Sequence, residues 1–371
     1  MIEAARNITF KSANAQTPKN SAVPIQNVDM PASKPDEFVK QDDENEKKMS
    51  KGKIAAIAGG VLAIGGIITA IVLSRGKKGT KSIEQALEPF KAASTVEEAK
   101  AYAKDKLGVH IIDDMNLDVL NYMNEGLYEL RSKFPKEFKI SFVQYRKMSE
   151  GDDDVFMQGI KYISKDNGEA VYGICVNPDF VSKTDGYINA AINNMLSEGS
   201  LVDDGVIKAS GYFAHTNIQE EIVQLINKFR SSPKSISFTD KMKINMGTGE
   251  FSQYMDNLWL RNGGSIPDNI EGTINITYSP FHAIFHEQGH ILNEINDPEK
   301  FRLLFDSSVA NTKYYDFRDP KKFVTALKVT NYAVTNPAEF VAEVYTKNRI
   351  GVKFDDDVIS LYDSYGGYKL A

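Results

Sequence analysis

The sequence predicts an α+β domain over residues 85–371, preceded by a single transmembrane helix at residues 54–74. After residue 85, strand-like runs come first and two helices follow them, and this order indicates an α+β domain. An uncharged apolar stretch from Ile54 to Ser74 is long enough to span a bilayer of about 30 Å as a helix. The composition, 42% hydrophobic and 25% charged, is typical of a folded chain.

The segment before the domain divides into three parts. Residues 1–52 are polar and charged, which predicts a disordered tail, and no apolar signal-peptide core follows the first methionine. Residues 54–74 form the predicted transmembrane helix, and residues 75–84 a basic linker. Pairs of small residues four apart would permit self-association of this helix in the membrane. These pairs are Gly59 with Ala63 and Gly66 with Ala70.

The orientation of this predicted single-pass membrane protein is not fixed by charge, because lysine and arginine flank the apolar stretch about equally. An internal anchor without a cleaved signal favours a domain on the extracytoplasmic side. A cytosolic domain tethered to the inner leaflet is an alternative. A buried Ala/Gly-rich helix within a soluble domain is another.

Charge and cysteine content exclude several classes of function. The formal net charge is −6 and the pI about 5.6, so nothing indicates a nucleic-acid partner. Cys175 is the only cysteine, which excludes an intrachain disulfide and a cysteine-rich metal site. Its apolar neighbours predict a residue in the core of a strand rather than a nucleophile.

Within the domain, the elements follow from caps and periodicity. Thr95 and Glu98 form a capping box that opens a helix to about Leu107. Apolar spacing predicts two further helices, and β-rich runs predict strands. The helices are 116–130 and 218–229, and the strands are 139–143, 170–176, 205–212 and 273–278.

The chemistry-bearing motif is His286-Glu287-Gln288-Gly289-His290, which has the pattern H-E-x-x-H. Residues four apart lie on one face of a helix, so both imidazoles can bind one metal ion. Glu287 lies beside them, where a carboxylate can take a proton from a metal-bound water. The alternative is a core helix whose histidines are merely hydrogen-bonded.

The context of the motif supports a buried helix. Ser279 followed by Pro280 predicts its start, as a hydroxyl cap and a proline at the first helical position. Gly289 is a poor helix former, which predicts that another segment packs closely there. The longer motif with a third histidine is absent, because Asn293 and Asn296 occupy its glycine and histidine positions.

The third ligand is therefore expected to be a carboxylate from a later helix, since the remaining histidines lie upstream. Asn336 and Pro337 predict the start of a helix to about Asn348. Glu339 and Glu343 are four apart on one of its faces. Glu339 is also at the reciprocal position of a capping box, so a metal role and a capping role both remain open.

At this point the sequence resembles a known family. The H-E-x-G-H helix and the later block Tyr332-x-x-Thr-Asn-x-Ala-Glu339-Phe-x-Ala-Glu343 are similar to the lethal-factor-like zincin metallopeptidases, the family of the anthrax lethal factor catalytic domain. The resemblance covers about residues 279–348. It implies a zincin fold, a bacterial or phage-derived origin and one Zn²⁺ per chain. The toxin's other domains have no counterpart here.

The resemblance also implies roles for individual residues. Zinc is held by His286, His290 and Glu339 and lowers the pKa of a bound water to about 7. Glu287 is the general base, and Tyr332 faces the metal and supports the transition state. Glu343 could accept the free N–H of a ligand histidine, or be an ordinary buried carboxylate. Tyr332 could likewise be a core aromatic residue. His282 is expected to pack or to support the ligands rather than to bind the metal.

These observations predict a membrane-anchored zinc metallopeptidase that acts on a peptide or protein substrate. Two alternatives belong to other classes. One is a non-catalytic zincin-like scaffold or interaction domain, and the other is a secreted or injected lethal-factor-like toxin protease. Histidine and carboxylate ligands also accept manganese, cobalt or nickel, so zinc is favoured without being unique.

Overall fold

The computed structural model describes residues 87–148, 154–163, 168–262, 264–267, 272–305 and 316–370. The predicted tail 1–52, the predicted transmembrane helix 54–74 and the linker 75–84 lie outside these ranges. What the structure describes is a mixed α/β fold in which helices predominate around a small sheet.

The membrane part of the predicted fold is wrong for the described chain. None of the described helices is both long enough and apolar enough to cross a membrane. The longest of them, Phe238–Arg261, has charged side chains along its length, including Asp240, Lys243 and Glu250. The predicted single-pass membrane localisation is therefore corrected as well.

The first elements confirm the predicted order of helix, helix and strand. Helix α1 (Val96–Leu107) begins at Thr95, whose hydroxyl accepts from the Glu98 amide. Strand β1 (His110–Ile111) and helix α2 (Leu117–Lys133) follow, and strand β2 is Ile140–Tyr145. The first helix, α1, packs on α2 through apolar residues spaced as the sequence predicted.

A four-stranded mixed sheet forms the centre of the domain. It is completed by β3 (Met157–Ile163) and β4 (Ala170–Val176), in the order β1-β2-β4-β3. Strands β1, β2 and β4 are parallel, whereas β3 is antiparallel to β4. Cys175 is buried in β4, as the sequence predicted. Strand β3 lies at one edge of the sheet.

A helical layer packs beside the sheet. It consists of α3 (Pro178–Ser197), α4 (Gln219–Ser231) and α5 (Phe238–Arg261), with a short hairpin of β5 (Leu201–Asp203) and β6 (Ile207–Ala209). Their isoleucines and phenylalanines form a separate apolar cluster. The helix predicted at 218–229 is confirmed as α4.

The C-terminal part of the chain is helical. Helix α6 (His282–Asn296) carries the motif and is followed by α7 (Pro298–Phe305) and α8 (Pro320–Leu327). Helix α9 (Pro337–Arg349) packs along α6, and α10 (Asp356–Ser364) closes the last apolar cluster. The α6–α9 interface positions the site described below.

Two predicted strands differ from the observed structure. Residues 273–278 are extended but form only one bridge, between Ile274 and Thr216, because their apolar residues pack into the helical cluster instead of a sheet. The run 205–212 is divided between β6 and a 3₁₀ turn at Gly211–His215. The strand that lies beside the motif helix is β3, which the sequence analysis did not predict.

Candidate metal centre

Helix α6 places its motif residues inside the protein. Its first helical residue is His282, two positions later than predicted, because Ser279 Oγ accepts the Phe281 amide in the turn before the helix. The motif residues His286, Glu287 and His290 are all buried. Two amide side chains, of Gln288 and Asn293, fix α6 in the fold by hydrogen bonds to the backbone of other segments.

These hydrogen bonds account for the presence of Gln288 in the motif and of Asn293 after it. The Gln288 side chain donates to the Glu137 carbonyl at 2.7 Å and accepts the Lys139 amide, which joins α6 to the start of β2. Asn293 donates to the Gly366 carbonyl at 2.6 Å. Asn293, which occupies the glycine position of the longer histidine motif, therefore connects α6 to the C-terminal segment.

Helix α9 begins as the sequence predicted. The Asn336 side chain accepts from the amides of Ala338 and Glu339, at 2.9 and 3.0 Å, and Pro337 is the first helical residue. The Glu339 carboxylate faces the histidines of α6 rather than the backbone at the helix start. The capping-box interpretation of Glu339 is therefore not the one observed.

Gly289 allows the two helices to approach closely. A Cβ atom at this position would lie 3.1 Å from the Ala342 Cα and 3.1 Å from the Tyr345 ring. The prediction that another segment packs against Gly289 is confirmed, and that segment is α9. The helices run antiparallel, because His282 is opposite Glu343 and His290 is opposite Glu339.

Three side chains converge with spacings that suit a metal ion. His286 Nε2 lies 2.9 Å from Glu339 Oε2 and 3.0 Å from His290 Nε2. The third distance, from His290 Nε2 to Glu339 Oε2, is 3.4 Å. Ligands 2.0–2.2 Å from a tetrahedral ion are about 3.3 Å apart. This buried His/Glu group can therefore hold a metal ion.

A second group shares one residue with the first. Glu343 Oε1 lies 2.8 Å from His286 Nδ1 and 2.8 Å from His282 Nε2. These three residues also meet the spacing for a metal site. However, one carboxylate oxygen contacts both rings at ordinary hydrogen-bond length, which is the geometry of an acceptor with two donors.

The electrostatics of the centre follow from burial and from the two carboxylates. Burial lowers the pKa of His290 to about 4. Burial also opposes the charged form of His286, but hydrogen bonds with Glu339 and Glu343 raise its pKa well above the usual value. For Glu339, the neighbouring histidines outweigh burial and lower its pKa.

Glu287 lies beside the ligand group in a different environment. Burial raises its pKa to about 8, the nearby His286 opposes this shift, and the Glu339 carboxylate adds to it. The Gly159 amide of β3 donates to Glu287 Oε2 at 2.6 Å. The edge strand therefore holds the carboxylate that the sequence marked as a base.

Tyr332 and a small pocket adjoin the centre. The Tyr332 ring is half-buried and its centroid is 5.8 Å from that of His286. The pocket, beside His290, is lined by residues 159–161 of β3, by Tyr172 and by residues of α6 and α7.

All six residues singled out by the sequence therefore lie at one centre. His286, His290 and Glu339 form the ligand group, and Glu343 contacts His286. Sequence reasoning missed Gly159, because nothing in a lone glycine indicates that its amide faces a carboxylate. It assigned His282 no definite partner, although its position one turn before His286 was a usable signal.

No protein-family model matches the sequence, and comparisons with curated proteins and with solved structures give no match.

Proposed function

We propose that this chain is a zinc-dependent metallopeptidase whose centre is His286, His290 and Glu339. The observation that carries the proposal is the near-tetrahedral spacing of three buried ligand atoms, 2.9, 3.0 and 3.4 Å apart, on two neighbouring helices. The contacts of 2.9 and 3.0 Å are also of hydrogen-bond length, and what favours a metal is that all three atoms lie close enough together to bind one ion.

The donor set supports zinc among the available metals. Two imidazoles and one carboxylate with an open fourth position are the ligands of catalytic zinc in several peptidases. A zinc ion bound here supplies Lewis-acid chemistry, polarising a peptide carbonyl and making water nucleophilic near neutral pH. Manganese, cobalt and nickel accept the same donors, so the first experiment must identify the bound metal.

The remaining residues supply proton transfer and orientation. Glu287 is the general base that accepts a proton from the attacking water and returns it to the leaving amine. The Gly159 amide fixes one of its oxygens. Tyr332, whose ring centroid is 5.8 Å from that of His286, would donate to the developing oxyanion.

A peptide is the favoured class of substrate because an unpaired strand edge adjoins the centre. In the described part of the chain, β3 pairs with no strand other than β4, and on its other edge the Gly159 amide donates to Glu287. Extended peptides add to such edges through backbone hydrogen bonds. The same strand contributes three consecutive residues, Gly159 to Lys161, to the pocket beside His290.

One observation favours a second candidate, a non-catalytic domain that binds metal for stability. Each of the three ligand residues is at most 4% exposed. Structural metal sites are closed, whereas catalytic sites keep an open position. The two candidates differ in whether the metal-loaded chain cleaves peptides.

The test uses the full chain and begins with elemental mass spectrometry of the bound metal. We expect one zinc per wild-type chain and its loss in Glu339→Ala. The exposed Glu299 provides the matched control, because Glu299→Ala should retain zinc. Zinc in both variants would move the third ligand elsewhere, and a folded wild type that takes up no zinc would overturn the proposal.

The second step separates enzyme from scaffold. In a peptide library, we expect cleavage by the zinc-loaded wild type and a fall of about 10²–10⁴-fold in Glu287→Gln, with zinc retained. A zinc-loaded wild type that cleaves no peptide would favour the structural role. Unchanged cleavage by Glu287→Gln would show that another group is the base.

A further inference from the structure

We infer that His282 is a positioning residue for the metal centre: through Glu343, it holds the His286 ring in the orientation that turns its Nε2 atom toward Glu339 and His290. This inference rests on the proposed function. His282 is outside the H-E-x-x-H motif, one helical turn before it, and does not belong to the ligand group of Glu339.

One oxygen of Glu343 is shared by two histidines. Glu343 Oε1 is 2.8 Å from His282 Nε2 and 2.8 Å from His286 Nδ1. The histidines of α6 and the glutamates of α9 therefore alternate in one row. In order, the row is His282, Glu343, His286, Glu339 and His290.

The Glu343 contact fixes which nitrogen of His286 faces the ligand group. Glu343 Oε1 lies 2.8 Å from His286 Nδ1, so an Nδ1–H can donate to this oxygen. The opposite ring nitrogen, Nε2, then faces Glu339 and His290. This ring orientation is that of a metal ligand whose other nitrogen is held by a carboxylate.

His282 helps to hold the Glu343 carboxylate in place. Glu343 is 3% exposed, and a buried carboxylate needs several donors to remain charged and fixed. The N–H of His282 is the second donor to the oxygen that orients His286. Without it, Glu343 has a single histidine partner and more rotational freedom, so His286 is held less firmly.

A second metal ion between His282, Glu343 and His286 fits the geometry less well. With zinc on Nε2 of His286, a further metal on Nδ1 would require an imidazole without any N–H proton. Instead, His282 Nε2 and His286 Nδ1 contact the same oxygen of Glu343 at 2.8 Å each, as two donors do.

The test compares zinc affinity in full-length variants by competition with a chelator. His282→Leu removes the donor, whereas His282→Gln retains an N–H near the position of Nε2. We expect about 10–100-fold weaker zinc binding in the leucine variant and near wild-type binding in the glutamine variant. Thermal unfolding of the metal-free variants reports any loss of folding.

A double-mutant cycle tests whether His282 acts through Glu343. In a Glu343→Leu background, His282→Leu should weaken zinc binding no further, because the shared oxygen is already gone. Side-chain ¹⁵N NMR of the metal-free protein gives a readout independent of zinc. It should show a proton on His286 Nδ1 that is hydrogen-bonded to Glu343 in the wild type, and a weaker or lost hydrogen bond of this proton in His282→Leu.

The outcomes separate the inference from the function. A wild type that binds zinc, with unchanged affinity in His282→Leu, overturns the inference and leaves the metal centre intact. Weaker binding that glutamine does not restore, with the hydrogen bond of the His286 Nδ1 proton unchanged, indicates a merely structural role and also overturns it. A folded wild type without zinc overturns both.

Discussion

Gly289 and Ala342 bring the two ligand-bearing helices into backbone contact, since a Cβ atom on Gly289 would lie 3.1 Å from the Ala342 Cα. His286 and His290 are on the same helix as Gly289, and Glu339 and Glu343 are on the same helix as Ala342. The spacing of the ligand atoms therefore depends on this one helix–helix distance.

Gly289→Ala should weaken the centre although it changes no ligand. A methyl group here must push α9 away by a few tenths of an ångström, because its nearest neighbour is backbone. Overpacking costs about 1–3 kcal/mol, against a gain of about 1 kcal/mol in helix propensity. We expect a small net loss in the free energy of unfolding and about tenfold weaker zinc binding.

The matched control is Gly249→Ala in α5, where an added methyl group meets nothing within 4 Å. It should stabilise the protein by about 0.5–1 kcal/mol and leave zinc affinity unchanged. Equal effects of the two substitutions on zinc binding would contradict the role of the helix contact.

Removal of the α9 cap should disturb both folding and metal binding. Asn336→Ala frees the amides of Ala338 and Glu339, which should cost about 1 kcal/mol in chemical denaturation. Because Glu339 loses a backbone anchor, zinc affinity should also fall. Asn116→Ala removes the corresponding cap of α2, away from the centre, and should lower stability alone. A similar change in zinc affinity in both variants would argue against local anchoring.

Glu287 should make the metal-free protein less stable as pH rises. Its folded pKa of about 8 is above its ordinary value of 4.5, so the folded state binds more protons between these values. Its contribution is complete below pH 4.5 and disappears as pH rises through about 8. Urea unfolding with a chelator present, from pH 6.5 to 8, should show this decline.

Glu287→Gln should flatten that part of the stability profile by an amount on the order of a few kcal/mol. The range above pH 6.5 is chosen because His290, with a pKa lowered to about 4, has the opposite pH dependence between about 4 and 6.5. Parallel profiles for wild type and Glu287→Gln would show that Glu287 is ionised in the folded protein.

The ion pair of Arg349 and Glu137 should be the strongest electrostatic link between α9 and the turn that precedes β2. Arg349 Nε and Nη2 each lie 2.9 Å from a different oxygen of Glu137, which also accepts the Tyr345 hydroxyl. The Arg349 side chain is 1% exposed. Glu137→Ala should cost about 3–5 kcal/mol, because it leaves a buried cation unpaired.

The exposed pair of Lys100 and Asp114 is the comparison for this ion pair. The Asp114 side chain is fully exposed, so Asp114→Ala should change the free energy of unfolding by less than about 1 kcal/mol. A similarly small effect of Glu137→Ala in denaturant titrations would mean that solvent reaches Arg349 once its partner is removed.

The parts of the fold that were predictable have strong local signals. Asn336 and Pro337 mark the start of α9 because a side-chain cap and a fixed φ act within one turn. The close packing at Gly289 followed from the presence of a glycine in a helix. The helices that carry the buried His/Glu group could be predicted from caps and residue spacing, and Glu339 was already a candidate for that group.

The missed parts depend on contacts between distant segments. Strand β3 begins with four buried residues and therefore lacks the alternation that marks a half-exposed strand. Residues 273–278 have strand-like composition but find no strand partner. The contact of His282 with Glu343 depends on the register of α6 against α9, which no local pattern in either helix defines.

Because α6 and α9 pair directly, the His/Glu group is separate from the chain segment that connects these two helices. The described residues between them, 297–305 and 316–336, contribute none of the histidine or glutamate atoms of either group. Phe301 in this connection lines the pocket beside His290. Substitutions among the described residues of this connection would therefore change the wall of the pocket while the His/Glu group keeps its own side chains.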